Sequence, residues 1–308
     1  MTNLGAWQLY LDEPEWLDWY RLPPQLQRRL DTYRTDSDEL VALDQASWQQ
    51  LRQRYVAYAT QSVQVYANPY HNADHFRIVE ENGMAAVAGY ETLTGQMIPL
   101  AVKQALAMAL HLHDCHHCGS TFRADTRQPL FAPEMGNRLA QEWISAEMAA
   151  NMARDAGMIL PAQLFQIMII WSSTYGGTTD RGRELGIPDI RPQGFWGRLM
   201  RAADVSPPNS LAESLARSIA VNYGEVPATP AARDWQGFLD SQLGFFGYVQ
   251  HCFDQLDEAA QVPLSTHLGW SQNLARLRQG VVKLGADPTS DLGDHVRQML
   301  AQYGVSLD

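Results

Sequence analysis

Apolar residues recur at three- and four-residue spacing along most of this chain. The pattern predicts helices over residues 42–65, 98–113, 134–156, 160–172, 209–222, 235–258 and 267–284. Ala, Leu, Met and Gln fill these runs, and all four suit a helix. Strict alternation never persists long enough to predict a series of strands. Gly and Pro interrupt the periodicity at Pro23-Pro24, from Gly176-Gly177 through Gly194, at Pro207-Pro208, from Val226 to Pro230 and from Gly285 to Pro288. The longest irregular segment, TYGGTTDRGRELGIPDIRPQGFW, has the length of a lid or binding loop. The expected fold is all-α: a compact multi-helix domain over residues 56–308, with a helical N-terminal extension, residues 1–55, packed on it.

Composition narrows the partners. The chain has 308 residues, 45% of them apolar, which is enough for a full core in one domain. A formal net charge of -11 argues against a nucleic-acid or anionic-membrane surface, because tracking phosphates takes a basic stripe. The opening MTNLGAWQLYLDEPEW is acidic where a signal peptide is basic, and no apolar run approaches bilayer length. Cys115, Cys118 and Cys252 make an odd count in a long chain, which suits a reducing compartment rather than a disulfide framework. A soluble, cytoplasmic protein acting on a small molecule is expected, and a homodimer is compatible with the sequence.

Candidate chemistry gathers at three places. In NPYHNADH, residues 68–75, His71 and His75 are four apart, and a helix beginning here would project both imidazoles from one face. The apolar run AVKQALAMALHL ends in HDCHHCG, which presents His113 and Asp114 side by side. An adjacent imidazole and carboxylate offer a nitrogen ligand and an oxygen ligand able to bridge two cations. Further on, LMRAADVSPP places Asp204 at the end of an apolar segment, just before a proline stop. Taken singly, His75 reads as an exposed helix residue, His113 as a satisfied core histidine and Asp204 as a cap. Together they make a two-His, two-Asp set drawn from three segments in the order His, His-Asp, Asp. Cys115-x-x-Cys118 lacks the second cysteine pair that a zinc knuckle needs. Trp171, Trp196, Phe245 and Phe246 read as a base pocket or as core, and Arg181, Arg183, Arg191 and Arg198 as phosphate guides or as a solvated loop.

That order on an all-α chain resembles the HD-domain metal-dependent phosphohydrolase superfamily, and the finer motifs resemble its class I 3′,5′-cyclic nucleotide phosphodiesterases. Tyr70-His71-Asn72-Ala73-Asp74-His75 looks like the family's Y-H-N-x-x-H. His113-Asp114-Cys115-His116-His117-Cys118-Gly119 looks like H-D-x-x-H-x-G, and Ala203-Asp204-Val205-Ser206 like A-D-x-S. SQLGFFGYVQHCFDQL, residues 241–256, is similar to the segment that supplies a purine-binding glutamine and a stacking phenylalanine. These islands span roughly residues 60–260. The chain departs from the family at Ile78, where an Asp is usual, and at Cys118, where H-P-G is broken. It departs again at Ile144-Ser145, where two histidines often follow the helical Glu, and at Pro207, which stands in place of an Asn.

The resemblance implies hydrolysis of cAMP or cGMP to the 5′-monophosphate by a hydroxide shared between two divalent metals. Zn²⁺ or Fe²⁺ would sit on His75, His113, Asp114 and Asp204, and a mainly hydrated Mg²⁺ or Mn²⁺ would share Asp114. His71 resembles the general acid. His117 and Glu142 resemble groups that orient water and imidazole, with Glu147 competing for the second role. Tyr70, Gln242 and Phe245 map onto substrate contacts. The Gln242 amide can rotate to suit either purine edge, so the base is open. An HD-type nucleotidase or nucleotide phosphohydrolase, or a catalytically impaired nucleotide-binding module, is the alternative.

Overall fold

In the computed structural model, the described residues are 5–11, 28–29, 40–66, 71–115, 139–173, 194–206 and 235–302. After a short 3₁₀ helix (Gly5–Leu9) they form α1 (Gln45–Tyr66), α2 (Ala73–Thr94), α3 (Leu100–Leu112), α4 (Leu139–Asp155) and α5 (Leu160–Trp171). The chain continues with α6 (Phe195–Asp204), α7 (Trp235–Asp254), α8 (Glu258–Leu268), α9 (Trp270–Ala286) and α10 (Asp291–Gln302). No strand occurs among the described residues. The all-α expectation is met. The predicted run 209–222, residues 134–138 and the punctuation at 23–24, 207–208 and 226–230 lie outside the described residues.

Two helices without a polar face organise the rest. Every residue of α5 is buried, as are the residues of α3 from Gln104 to Leu112. A helix apolar all round is satisfied only inside a ring of others. Accordingly α3 packs against α1, α2, α4 and α5, while α5 packs against α3, α4 and α6. Trp7 reaches this core from the N-terminal segment, its ring 5.9 Å from that of Phe165 on α5. Gln104, polar in an apolar helix, is satisfied by Leu43: its amide donates to the Leu43 carbonyl at 3.0 Å and accepts from the Leu43 N–H at 2.9 Å.

The sequence pattern did not predict α2, α6, α8 and α10. The irregular segment that it read through Trp196 gives way to α6 at Phe195, and close approach explains α2 and α8. Glycines that read as breakers in α2 are contact points. A Cβ at Gly83 would meet the Leu110 side chain, and one at Gly89 would run into the ring of Pro263 on α8. Leu110 can turn aside, whereas a proline ring cannot. Gly89→Ala should therefore destabilise the protein by about 1–3 kcal/mol through overpacking, despite alanine's better helix propensity. Gly247→Ala on the exposed face of α7, where an added Cβ meets nothing within 4 Å, should stabilise by about 0.5–1 kcal/mol. Urea denaturation of the two variants checks the pair, and a stabilised Gly89→Ala would show that α2 and α8 do not meet at that point. No helix among the described residues is long and apolar enough to cross a membrane.

Candidate metal centre

Helix ends build the site. Asn72 caps α2 with φ -130° and ψ 178°, its side-chain oxygen accepting from the N–H groups of Asp74 at 3.0 Å and His75 at 3.1 Å. His75 is thus held in the first helical turn. His71 stands before the cap rather than on the helix, which corrects the expectation that both imidazoles share one helical face. They converge all the same: His71 Nε2 lies 3.7 Å and His75 Nε2 3.9 Å from Asp114 Oδ2, with the two rings 5.4 Å apart edge to face. His113 is the residue at which α3 ends, Asp114 is in the turn that follows, and Asp204 closes α6.

The four expected ligands come together. His113 Nε2 is 3.0 Å from Asp114 Oδ2 and 3.2 Å from Asp204 Oδ1, and His75 Nε2 is 3.4 Å from Asp204 Oδ1. One ligand atom from each residue lies within 4.8 Å of all the others, and all four residues are buried. Bonds of about 2.0–2.2 Å put adjacent ligands about 3 Å apart and opposite ones about 4.2 Å apart, so a small closing movement fits them to one ion. His113 is also oriented for the task. Its Nδ1–H donates to the Leu110 carbonyl at 2.8 Å, which leaves Nε2 facing the carboxylates. His75 is buried, so its reading as an exposed helix residue is set aside.

The electrostatics favour a cation at the centre. Burial opposes charge on His113, yet the carboxylates of Asp114 and Asp204 raise its pKa well above the ordinary imidazole value. Burial likewise works against ionised Asp204, but His113 holds its carboxyl below the usual range. Burial lowers His75, keeping it neutral. In the metal-free protein a proton on His113 thus does the neutralising that an ion would do. Metal uptake should release that proton, so affinity should rise about tenfold per pH unit up to the raised His113 pKa and then level off. The metal-free protein should show the opposite trend. Stability from a raised pKa is complete below the unfolded imidazole value and is lost as pH climbs through the raised one. Chelator competition and thermal melts across neutral pH measure both, and affinity independent of pH would contradict the assignment.

Other expected residues fall differently. Glu142 is buried in the first turn of α4, whereas Glu147 is exposed, so Glu142 is the acid on the inner face. Ser145, one turn beyond Glu142, touches Cys115 at 3.4 Å and so docks this end of α4 beside the His113-Asp114 turn. Burial pushes the Cys115 thiol up to about 12, which makes it a core residue rather than a redox or thiolate ligand. Gln242 is buried on α7, and Phe245 packs partly against the core. Trp171, Trp196 and Phe246 are core, and Arg198 donates to the Gln255 carbonyl at 3.1 Å. Ile78, one turn beyond His75, is 41% exposed, so this departure from the motif that the segment resembles is an apolar side chain facing outward. Tyr70, His117, Cys118, Arg181, Arg183 and Arg191 lie outside the described residues. Sequence reasoning missed a hydrogen-bonded group near the site, in which His111, Arg52 and Tyr55 converge on Glu80. The spacing of His111 two residues before His113 was the available signal.

The fold and the cluster define an all-α protein with a buried two-His, two-Asp group that can hold a metal ion. No model of a known protein family matches the chain, and no curated protein matches it either.

Proposed function

We propose that this protein hydrolyses a 3′,5′-cyclic nucleotide to its 5′-monophosphate, with divalent metal held by His75, His113, Asp114 and Asp204 and with His71 as general acid. The observation that carries this reading is a buried four-ligand set flanked by one histidine that reaches solvent. The His71 side chain is 18% exposed, against 0–9% for the ligands. Ligands gain from burial, while an acid must meet its substrate. A bound divalent cation would supply an activated water and neutralise charge on the phosphoryl oxygens. At 3.7 Å the His71–Asp114 pair is electrostatic rather than hydrogen-bonded. A 3′ oxygen at ordinary hydrogen-bond length therefore competes well for the ring's proton as the ester opens. The imidazole-rich set suits Zn²⁺ or Fe²⁺, and a second, mainly hydrated Mg²⁺ or Mn²⁺ would share Asp114. Glu142 would orient water on the inner side. Gln242 and Phe245, three residues apart on one face of α7, would receive the base, since α7 packs on α6, the helix that ends in Asp204.

The test is a substrate panel: cAMP, cGMP, bis(p-nitrophenyl) phosphate, 5′-nucleotides and deoxynucleoside triphosphates, each with Mg²⁺ or Mn²⁺. Cyclic nucleotides should yield 5′-monophosphates without inorganic phosphate. Phosphate released from monophosphates would reassign the site to an HD-type nucleotidase. Tight binding without turnover would make the protein a nucleotide-binding module.

A further inference from the structure

One carboxylate near the ligands ties its own helix to two others. Glu80 on α2 accepts through Oε2 from His111 Nδ1 of α3 at 2.8 Å, and through Oε1 from Arg52 of α1 at 3.0 Å and the Tyr55 hydroxyl of α1 at 3.4 Å. Glu80, His111 and Tyr55 are buried, whereas Arg52, 55% exposed, brings its charge in from the solvent side.

These residues sit close to the ligands both along the chain and in space. Glu80 follows His75 by five residues and His111 precedes His113 by two, so α2 and α3, which meet at this carboxylate, each lead to a metal-type imidazole. Phe76 stands between the two groups, its ring 6.2 Å from His111, 6.1 Å from His113 and 6.0 Å from His75. Over one or two turns a helix is stiff. Fixing Glu80 on His111 therefore fixes how far His75 stands from His113.

We infer that the Glu80–His111 pair, with Arg52 and Tyr55 behind it, is a positioning device that sets the separation of His75 and His113 and hence the affinity of the metal centre. The inference rests on the metal-dependent reading above. A buried polar pair is a poor means of stabilising a core, because apolar side chains of the same volume do as well or better. A directional bond of 2.8 Å offers something that apolar contact does not, a single register between α2 and α3. Ligand sets need their side chains held to within about 0.5 Å, and groups behind the ligands are what hold them.

The experiment compares Co²⁺ affinity, the Co²⁺ visible spectrum and the melting temperature of the metal-free protein, using Co²⁺ alone as the probe. In His111→Leu, Glu80 keeps Arg52 and Tyr55, so the metal-free protein should melt within a few degrees of wild type. Its Co²⁺ affinity should fall about ten- to hundredfold, with an altered spectrum. His111→Asn, whose side-chain amide can donate where Nδ1 did, should restore affinity and spectrum. Arg52→Met changes a side chain half in solvent, so the fold survives, and it should weaken Co²⁺ binding severalfold. If His111→Leu fails to fold, the contrast between His111→Asn and Arg52→Met decides. Wild-type affinity in both His111→Leu and Arg52→Met, or equal loss in the Leu and Asn variants, would overturn the inference while leaving the proposed function standing. A wild-type protein that takes up no Co²⁺ would overturn both.

Discussion

His113→Ala or Asp204→Ala should empty the metal centre and abolish hydrolysis. Each removes one of four ligand side chains, and affinity should fall by more than the roughly ten- to hundredfold typical of groups behind the ligands. The geometry makes the two losses different in kind. Without His113, the carboxylates of Asp114 and Asp204 lose the protonated imidazole whose Nε2 lies within 3.2 Å of both, and His75, whose pKa burial lowers, does not replace its charge. Uncompensated buried charge costs about 3–5 kcal/mol, so His113→Ala should also lower the stability of the metal-free protein. Asp204→Asn separates these effects. It keeps the shape of the side chain, removes the charge, and should lose metal with little change in fold. Elemental analysis of unstripped protein reads the outcome, and near-stoichiometric metal in both alanine variants would eliminate the site.

The sequence made the interior legible where periodicity alone decides the outcome. Runs 98–113 and 160–172 became α3 and α5 because strong helix formers with no polar face have one place to go. Legibility failed where a local breaker serves a distant contact. Gly89 and Pro263 each argue against helix, yet each sits in one because they meet across α2 and α8. α10 begins just after Pro288 and carries Gly293, whose added Cβ would strike the Pro288 carbonyl. Helix α9 runs through Gly285 and stops at Asp287, so the punctuation from Gly285 to Pro288 ended it as expected.

At the site, residue type was readable and placement was not. His75, His113, Asp114 and Asp204 stand out by chemistry, but the 3.2 Å contact between His113 and Asp204 joins residues 91 apart in the chain. No local pattern carries that distance. Choosing between Glu142 and Glu147 is a question of burial, which a helix with little amphipathic contrast hides. The NPYHNADH stretch shows the same limit. Its spacing of four suggested one helical face, whereas the Asn72 cap divides the pair, with His71 before the helix and His75 in its first turn, and both still reach Asp114.

That division assigns different outcomes to the two histidines. His75→Ala should lose metal and activity together, since its Nε2 faces Asp204 at 3.4 Å inside the ligand set. His71→Ala should keep its metal, because the four ligands remain in place, and should slow hydrolysis of a cyclic nucleotide by about a hundredfold or more, as removal of a positioned proton donor does. The leaving group then tests the role itself. The 3′ alkoxide of a cyclic nucleotide leaves poorly unless protonated, whereas nitrophenolate departs with little help. On bis(p-nitrophenyl) phosphate, His71→Ala should therefore lose far less than it loses on cAMP or cGMP. Comparing kcat on the two substrates, with metal content measured on the same preparation, distinguishes an acid from a ligand and from a structural residue. Equal loss on both substrates would deny His71 the proton, and loss of metal would make it a fifth ligand reaching Asp114's side of the centre.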